Sequence, residues 1–154
     1  LVEIQALVSP SPLGTPRRTV VGLDSGRLST ILAVLEARCG IPFAGLDVFL
    51  NVAGGMRVED PALDLAVCAS LVSSYEDNPV PEDICFAGEV GLGGEIRAVN
   101  RVENRIAEAE KLGFKRIMVS KYAIKGLDVD KYKIRVIAVS KLEEMYQRLV
   151  GNSN

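Results

Sequence analysis

The sequence predicts an α/β domain built on a mixed sheet, and three observations predict it. The opening residues alternate in strand fashion and return through a proline-rich loop, which points to antiparallel pairing. From Ile84 onward, strands alternate with helical stretches, which points to a parallel part. The 154 residues carry no internal repeat, low-complexity tract or linker, so one α/β domain covers the chain. We therefore expect a single domain over residues 1–150 and a frayed tail over 151–154.

Val2, Ile4, Ala6 and Val8 occupy alternate positions and predict a half-buried strand. The run Ser9 to Pro16 predicts a stiff loop, because its prolines remove donors and fix φ. Arg17 to Leu23 predicts a second strand. Asp24 or Ser25 caps a helix whose Leu28, Ile31, Leu32 and Leu35 line one face, and Gly40 and Pro42 end it. Asp47 to Val52 is the next strand, broken by Gly54 and Gly55. Asp60 is a good N-cap and Pro61 suits the first helical position. The helix that follows, to about Tyr75, is apolar nearly all round and belongs in the centre.

Asn78 to Pro81 is a turn. Ile84 to Val90 and Glu95 to Val99 form a hairpin around Gly91, Gly93 and Gly94. Asn100 and Glu103 make an Asn-x-x-Glu capping pair for a helix that buries Val102, Ile106, Ala109 and Leu112 and stops at Gly113. Arg116 to Ser120 and Ile134 to Val139 are strands joined by a polar connection. Ser140 and Glu143 cap a last helix that buries Leu142, Met145, Tyr146 and Leu149.

Composition narrows the function. A net charge of −2 argues against a domain basic all over, so any contact with DNA must use a local patch. Cys39, Cys68 and Cys85 are odd in number and set among apolar residues, which reads as free thiols in a reducing cytoplasm. Histidine is absent, which excludes Ser-His and Cys-His catalysis and, with no CxxC pair, weighs against zinc. No apolar run approaches the roughly 20 residues needed to span a bilayer. The first residues show no charged n-region followed by an apolar h-region of the signal-peptide kind. It begins at Leu1, inside an apolar run, which suggests that an N-terminal part is missing.

Three constellations deserve weighing against plainer readings. Gly88 to Glu95 resembles a phosphate loop, but no lysine follows the glycines and a strand replaces the required helix, so a hairpin is the better reading. Glu59, Asp60, Asp64 and Glu89 could form a metal or acid/base cluster. Capping by Asp60, the helix dipole at Asp64 and solvation of Glu59 explain three of them, and only Glu89 stands out, inside an apolar strand. Arg17, Arg18, Arg97, Arg101, Arg105, Lys115 and Arg116 are candidate phosphate contacts, against the alternative of ordinary surface charge.

The segments Gly54–Val72, Asn78–Val80, Gly88–Gly94 and Gly113–Lys115 resemble the proteolytic domain of Lon. The phrases Val8-Ser9-Pro10, Gly14 to Arg18, Ile31 to Glu36, Asp47-Val48-Phe49, Asn51 to Gly55, Asp60-Pro61 with Asp64-Leu65-Ala66, and Gly113 to Arg116 are closer still to the Lon-like C-terminal domain of the bacterial RadA (Sms) family. The resemblance spans nearly the whole chain and implies the Lon proteolytic-domain fold. In Lon the motif reads Pro-Ser-Ala-Gly. Here Ala62 stands at the serine position and Glu103 at the position of the general-base lysine. A methyl group cannot attack a carbonyl, so the resemblance implies a non-proteolytic domain without catalytic residues.

In that family a zinc-finger region and a RecA-like ATPase precede this domain, in a protein of recombination and repair that drives branch migration. The resemblance thus implies no cofactor in this chain, with ATP, magnesium and zinc confined to the missing N-terminal domains. It implies a hexameric ring of copies, contact with single-stranded or branched DNA, work beside the recombination machinery, no membrane and a cytoplasmic, nucleoid-associated setting. One rival is a pure assembly scaffold with no DNA contact. Another is a residual peptidase using Ser70 or Ser73 with a lysine, which their position well inside a buried helix disfavours.

Overall fold

A computed structural model describes residues 2–12, 14–54 and 60–151. The chain is a mixed α/β domain with two principal sheets. β1 (Val2–Pro10), β2 (Arg18–Val21) and β3 (Leu46–Gly54) form the first, in the order β1-β3-β2. β1 runs antiparallel to β3, with Leu7 opposite Phe49, and β2 runs parallel to it. β4 (Ile84–Ala87), β7 (Arg116–Ser120) and β8 (Arg135–Val139) form the second, all parallel, in the order β4-β7-β8. The hairpin of β5 (Glu89–Val90) and β6 (Ile96–Arg97) forms a separate two-stranded sheet.

The expected alternation of β1 holds, since Val2, Ile4, Ala6 and Val8 all turn toward the main core. The loop expected from Ser9 does not begin there. β1 continues through Ser9 and Pro10, which pair with Asp47 and Leu46. An edge strand tolerates a proline whose missing N–H would have faced outward. Helix α1 (Ser25–Cys39) is capped by Asp24, which accepts the Arg27 N–H at 3.0 Å. It ends at Gly40 in the left-handed conformation, φ 72°, where a side chain is costly.

Helix α2 (Asp64–Glu76) buries Leu65, Val67, Cys68, Ala69, Leu71 and Val72, so it is the central helix its composition predicts. It packs beneath β1 and against α1 and α4 (Leu142–Val150). On the second sheet the strand alternation splits the burial. Met118, Ile137 and Val139 join the main core with α2 and α4. Ile117, Val119 and Ala87 face the other way and meet Val102, Ile106 and Ala109 of α3 (Val102–Lys111) in a smaller second core. A parallel sheet covered on both faces is the usual outcome of helical crossovers.

Several boundaries depart from expectation. The predicted strand Ile84 to Val90 is two strands serving different sheets, with Gly88 at the break. Leu112 is 52% exposed rather than buried, since α3 stops at Lys111 and the chain turns away. Asn100 and Glu103 do not cap α3. Its N-cap is Arg101, at φ 58°, with no side-chain capping bond. The last helix is capped one residue later than expected. Glu144, not Glu143, accepts both the Ser140 hydroxyl at 2.6 Å and the Lys141 N–H at 3.1 Å. The expected strand break at Gly55, the solvated Glu59 and the tail 152–154 lie outside the described residues.

The thiols are free. Cys68 is fully buried, and burial pushes its thiol well up. Cys39 and Cys85 are half-buried rather than enclosed, and burial still raises each to about 11. None is activated as a nucleophile. No described helix is long and apolar enough to cross a membrane.

Candidate functional site

The motif that singled out Asp60 to Asp64 folds into one 3-10 turn, Pro61–Leu63, that leads straight into α2. Asp60 has extended backbone and accepts the Ala62 N–H at 3.0 Å, the capping role expected of it. Ala62 is 2% exposed. Its carbonyl accepts the Gly88 N–H and the Gly88 carbonyl accepts the Leu65 N–H, both at 3.0 Å. The turn and the β4–β5 junction are thereby stitched backbone to backbone. The approach leaves little room for a side chain: a Cβ on Gly88 would come to 3.0 Å from Ile96 and 3.2 Å from Leu65.

Charge is arranged around this stitch in a way the sequence did not reveal. Asp64 is buried, and its carboxylate accepts the Arg27 Nε at 2.6 Å and the Val90 N–H at 3.0 Å. Arg105 reaches from α3 to Asp60 at 2.9 Å, while its Nε bonds the Asn100 carbonyl at 2.9 Å. Four elements meet here: α1 and α3 supply the guanidinium groups, and the turn and α2 supply the carboxylates. Burial would raise the Asp60 carboxyl, but the Ala62 N–H and Arg105 outweigh it and hold it below the ordinary value. For Asp64 burial prevails over the Val90 and Arg27 contacts, and nearby Glu89 adds to it, so its carboxyl is raised.

Asp64 is therefore more than a favourable first-turn charge, and Arg27 is the participant that sequence reasoning passed over. One signal was available. Arg27 lies in the first turn of α1, where a cation opposes the helix dipole and needs some other reason to be there. Glu103 is exposed in the first turn of α3, where its charge suits the dipole. Glu89 is half-buried beside Asp64. Among the described residues, no group of three or more acidic, cysteine or histidine side chains could hold a metal ion.

The basic candidates separate by what they already hold. Arg18 bonds the carbonyls of Leu46 and Phe43, the latter at 2.7 Å, so its guanidinium is a brace between β2 and the turn before β3. Arg17 pairs with Asp47 at 3.1 Å, Arg105 with Asp60, and Arg116 with Asp83 at 2.6 Å. Arg97 makes an open pair with Glu95 at 3.0 Å, both about half exposed. Arg101 and Lys115 are exposed and make no ion pair among the described residues. Arg18 opens β2 of the first sheet and Arg17 precedes it, and the other five flank β6, α3 and the start of β7.

Ser70 and Ser73 are half-buried rather than enclosed. Their hydroxyls donate to the Ala66 carbonyl at 3.0 Å and the Asn78 carbonyl at 2.8 Å. Both are engaged with backbone rather than poised beside a base.

The chain belongs to the family described as subunit ChlI of Mg-chelatase, whose model matches residues 13–123. Among individual proteins it is similar to the DNA repair protein RadA of Streptococcus pneumoniae, 47% identical over 149 residues, 97% of this chain and 35% of that one. It is likewise similar to DNA repair protein RadA of Brucella abortus, 58% identical over 119 residues, 77% of this chain and 26% of the relative. The Bacillus subtilis RadA is 46% identical over 151 residues, 98% of this chain and 33% of the relative. The chain thus spans about a third or less of the length of these relatives.

Proposed function

We propose that this chain is a Lon-like, non-proteolytic domain of a DNA repair protein, serving ring assembly and DNA contact in recombination. The observation that carries the non-proteolytic reading is the setting of Ala62. A methyl group, 2% exposed, fills the position the resemblance gives to a serine, and the Asp64–Arg27 pair lies two residues further on. The name of the relatives, DNA repair protein RadA, and their identity along nearly the whole chain support the DNA side of the reading. ATP hydrolysis, with magnesium and zinc, would belong to parts of the longer protein outside this chain.

DNA contact falls first to Arg97, Arg101 and Lys115. These are exposed, and among the described residues phosphates would have no carboxylate to displace from Arg101 or Lys115. Copies arranged in a ring would multiply so few contacts through effective concentration. The test is binding of a fluorescent single-stranded oligonucleotide to wild type and to Arg97→Ala, Arg101→Ala and Lys115→Ala. Weaker binding in each, with an unchanged melting temperature, is the expected result. Unchanged binding in all three sinks the DNA reading.

A pure assembly scaffold is the second reading. It is favoured by one observation: Arg17, Arg105 and Arg116 are held in ion pairs and Arg18 in a backbone brace. Sedimentation with and without DNA separates the two. A residual peptidase would require casein cleavage that disappears on replacing Ser70 or Ser73.

A further inference from the structure

β1 is an edge strand, and its open edge carries unspent backbone groups. The pairing fixes which ones. Val8 lies opposite Val48, yet the Val48 N–H donates to Arg17 on the far side, at 2.9 Å. The Val8 N–H in turn donates away from β3, to the Ser74 hydroxyl at 2.8 Å. Even-numbered residues of β1 therefore aim their N–H and C=O groups at the open edge, by the alternation of an antiparallel ladder. Ser74 closes the edge at Val8, and Pro10 has no N–H to offer. The edge groups of Ile4 and Ala6 make no hydrogen bond among the described residues.

Beside this edge runs an open trough of about 590 Å³ between β1 and α2. Its floor on the helix is hydroxylated, by Ser70 and Ser73, and the exposed carboxylate of Asp77 stands at its end. On the outer face of the sheet, Leu7 is 60% exposed beside Phe49 at 45%. A sheet edge with free donors and acceptors, flanked by a trough, is the geometry of strand addition.

We propose that the β1 edge takes up an extended peptide segment of a partner protein, paired with the Ile4 and Ala6 backbone groups. Alternate side chains of that segment face opposite ways. Those facing inward lie over Ser70 and Ser73 and are small or hydroxylated, with a lysine or arginine opposite Asp77. Those facing outward are apolar and extend the Leu7–Phe49 surface. A second copy's β1 fits poorly, because its alternating residues are either the apolar Val2, Ile4 and Ala6 or a set that includes acidic Glu3. This site is independent of the basic residues assigned to DNA.

The test uses a synthetic capped hexapeptide alternating valine with serine and ending in lysine, titrated into isotopically labelled protein by NMR. Saturable shifts at the Ile4 and Ala6 amides are expected. N-methylation of the peptide's alternate amides, which deletes its ladder donors, should weaken binding about tenfold. Replacing its lysine with glutamate should also weaken binding. Ala6→Pro removes one edge donor without touching the β3 ladder, and Ser70→Tyr fills the trough from the helix side. Both should abolish the shifts while the protein still melts cooperatively. Equal binding of the N-methylated peptide, or shifts confined to other residues, overturns the proposal. So does displacement of the peptide by a DNA oligonucleotide, or the same shifts appearing with protein concentration alone.

Discussion

The Arg27 guanidinium lies 2.5 Å from the Asp64 carboxylate, with 24% and 6% of the two side chains exposed. The pair ties α1 to the start of α2, directly behind the turn that carries Ala62. Removing one partner strands the other in a place made for a pair. Arg27→Ala should therefore cost about 3 kcal/mol, the low end for a broken buried pair because the arginine keeps some solvent. Replacing both with apolar residues of similar volume should recover part of that loss, the remainder being the Val90 N–H left without its acceptor. Urea unfolding of the two variants measures both outcomes, and equal stabilities for the two would refute the assignment.

Gly88 predicts a steric effect at the same place. Its backbone bonds Ala62 and Leu65, and Ile96 and Leu65 already crowd the space a side chain would take. Gly88→Val should destabilise the chain by about 1–3 kcal/mol through overpacking. Gly45→Val, with nothing within 4 Å of its Cβ position, is the control. Thermal melts of the pair give the comparison.

Acid should expose two opposite signs within one motif. The carboxyls of Asp47, Asp60 and Asp83 lie below the ordinary value. For Asp47 the main cause is the Arg17 backbone bond, and for Asp83 the Arg116 side-chain bond. Asp60 is lowered because its capping bond and Arg105 overcome burial. Each favours folding while ionised, so its contribution is full above the unfolded value and fades as pH falls through the folded one. Asp64 is raised by burial, so its contribution is present at acid pH and fades as pH rises through its raised value. The loss of stability from about pH 5 to about pH 3 should be shallower in Asp60→Asn and steeper in Asp64→Asn. Identical slopes in both variants contradict these assignments.

The first-turn charges and caps show how much of this was legible. Asp24 before Leu28, Asp60 before Pro61 and the alternation of Val2 to Val8 mark helix starts and a strand by local chemistry, and the structure keeps all three. Sequence spacing alone placed Asn100 and Glu103 as a capping pair, and there the structure differs. Arg101 takes the left-handed conformation and the Arg105 guanidinium binds the Asn100 carbonyl, a tertiary choice with no local signature. The Arg27–Asp64 pair spans 37 residues, and no periodicity joins positions so far apart. The split at Gly88 was equally hidden, because one apolar run can serve two sheets.

Arg101 carries a prediction of its own. A non-glycine residue at φ 58° is strained by about 1 kcal/mol, and strain of this kind persists where a side chain has a use. Arg101→Gly should raise stability by up to about 1 kcal/mol and at the same time weaken DNA binding. Denaturant melts and oligonucleotide anisotropy on the same variant read the two effects. A gain in stability with unchanged DNA affinity would leave the strained arginine unexplained by DNA.

The most direct measurement of the central claim, a domain that contacts DNA through a few exposed basic residues, is a salt titration of oligonucleotide affinity on this chain. The logarithm of the binding constant should fall linearly with the logarithm of salt concentration. The slope should shrink by about 0.7–0.9 for each of Arg97→Ala, Arg101→Ala and Lys115→Ala that removes one phosphate contact. A flat salt response, or a slope unmoved by all three substitutions, would contradict it.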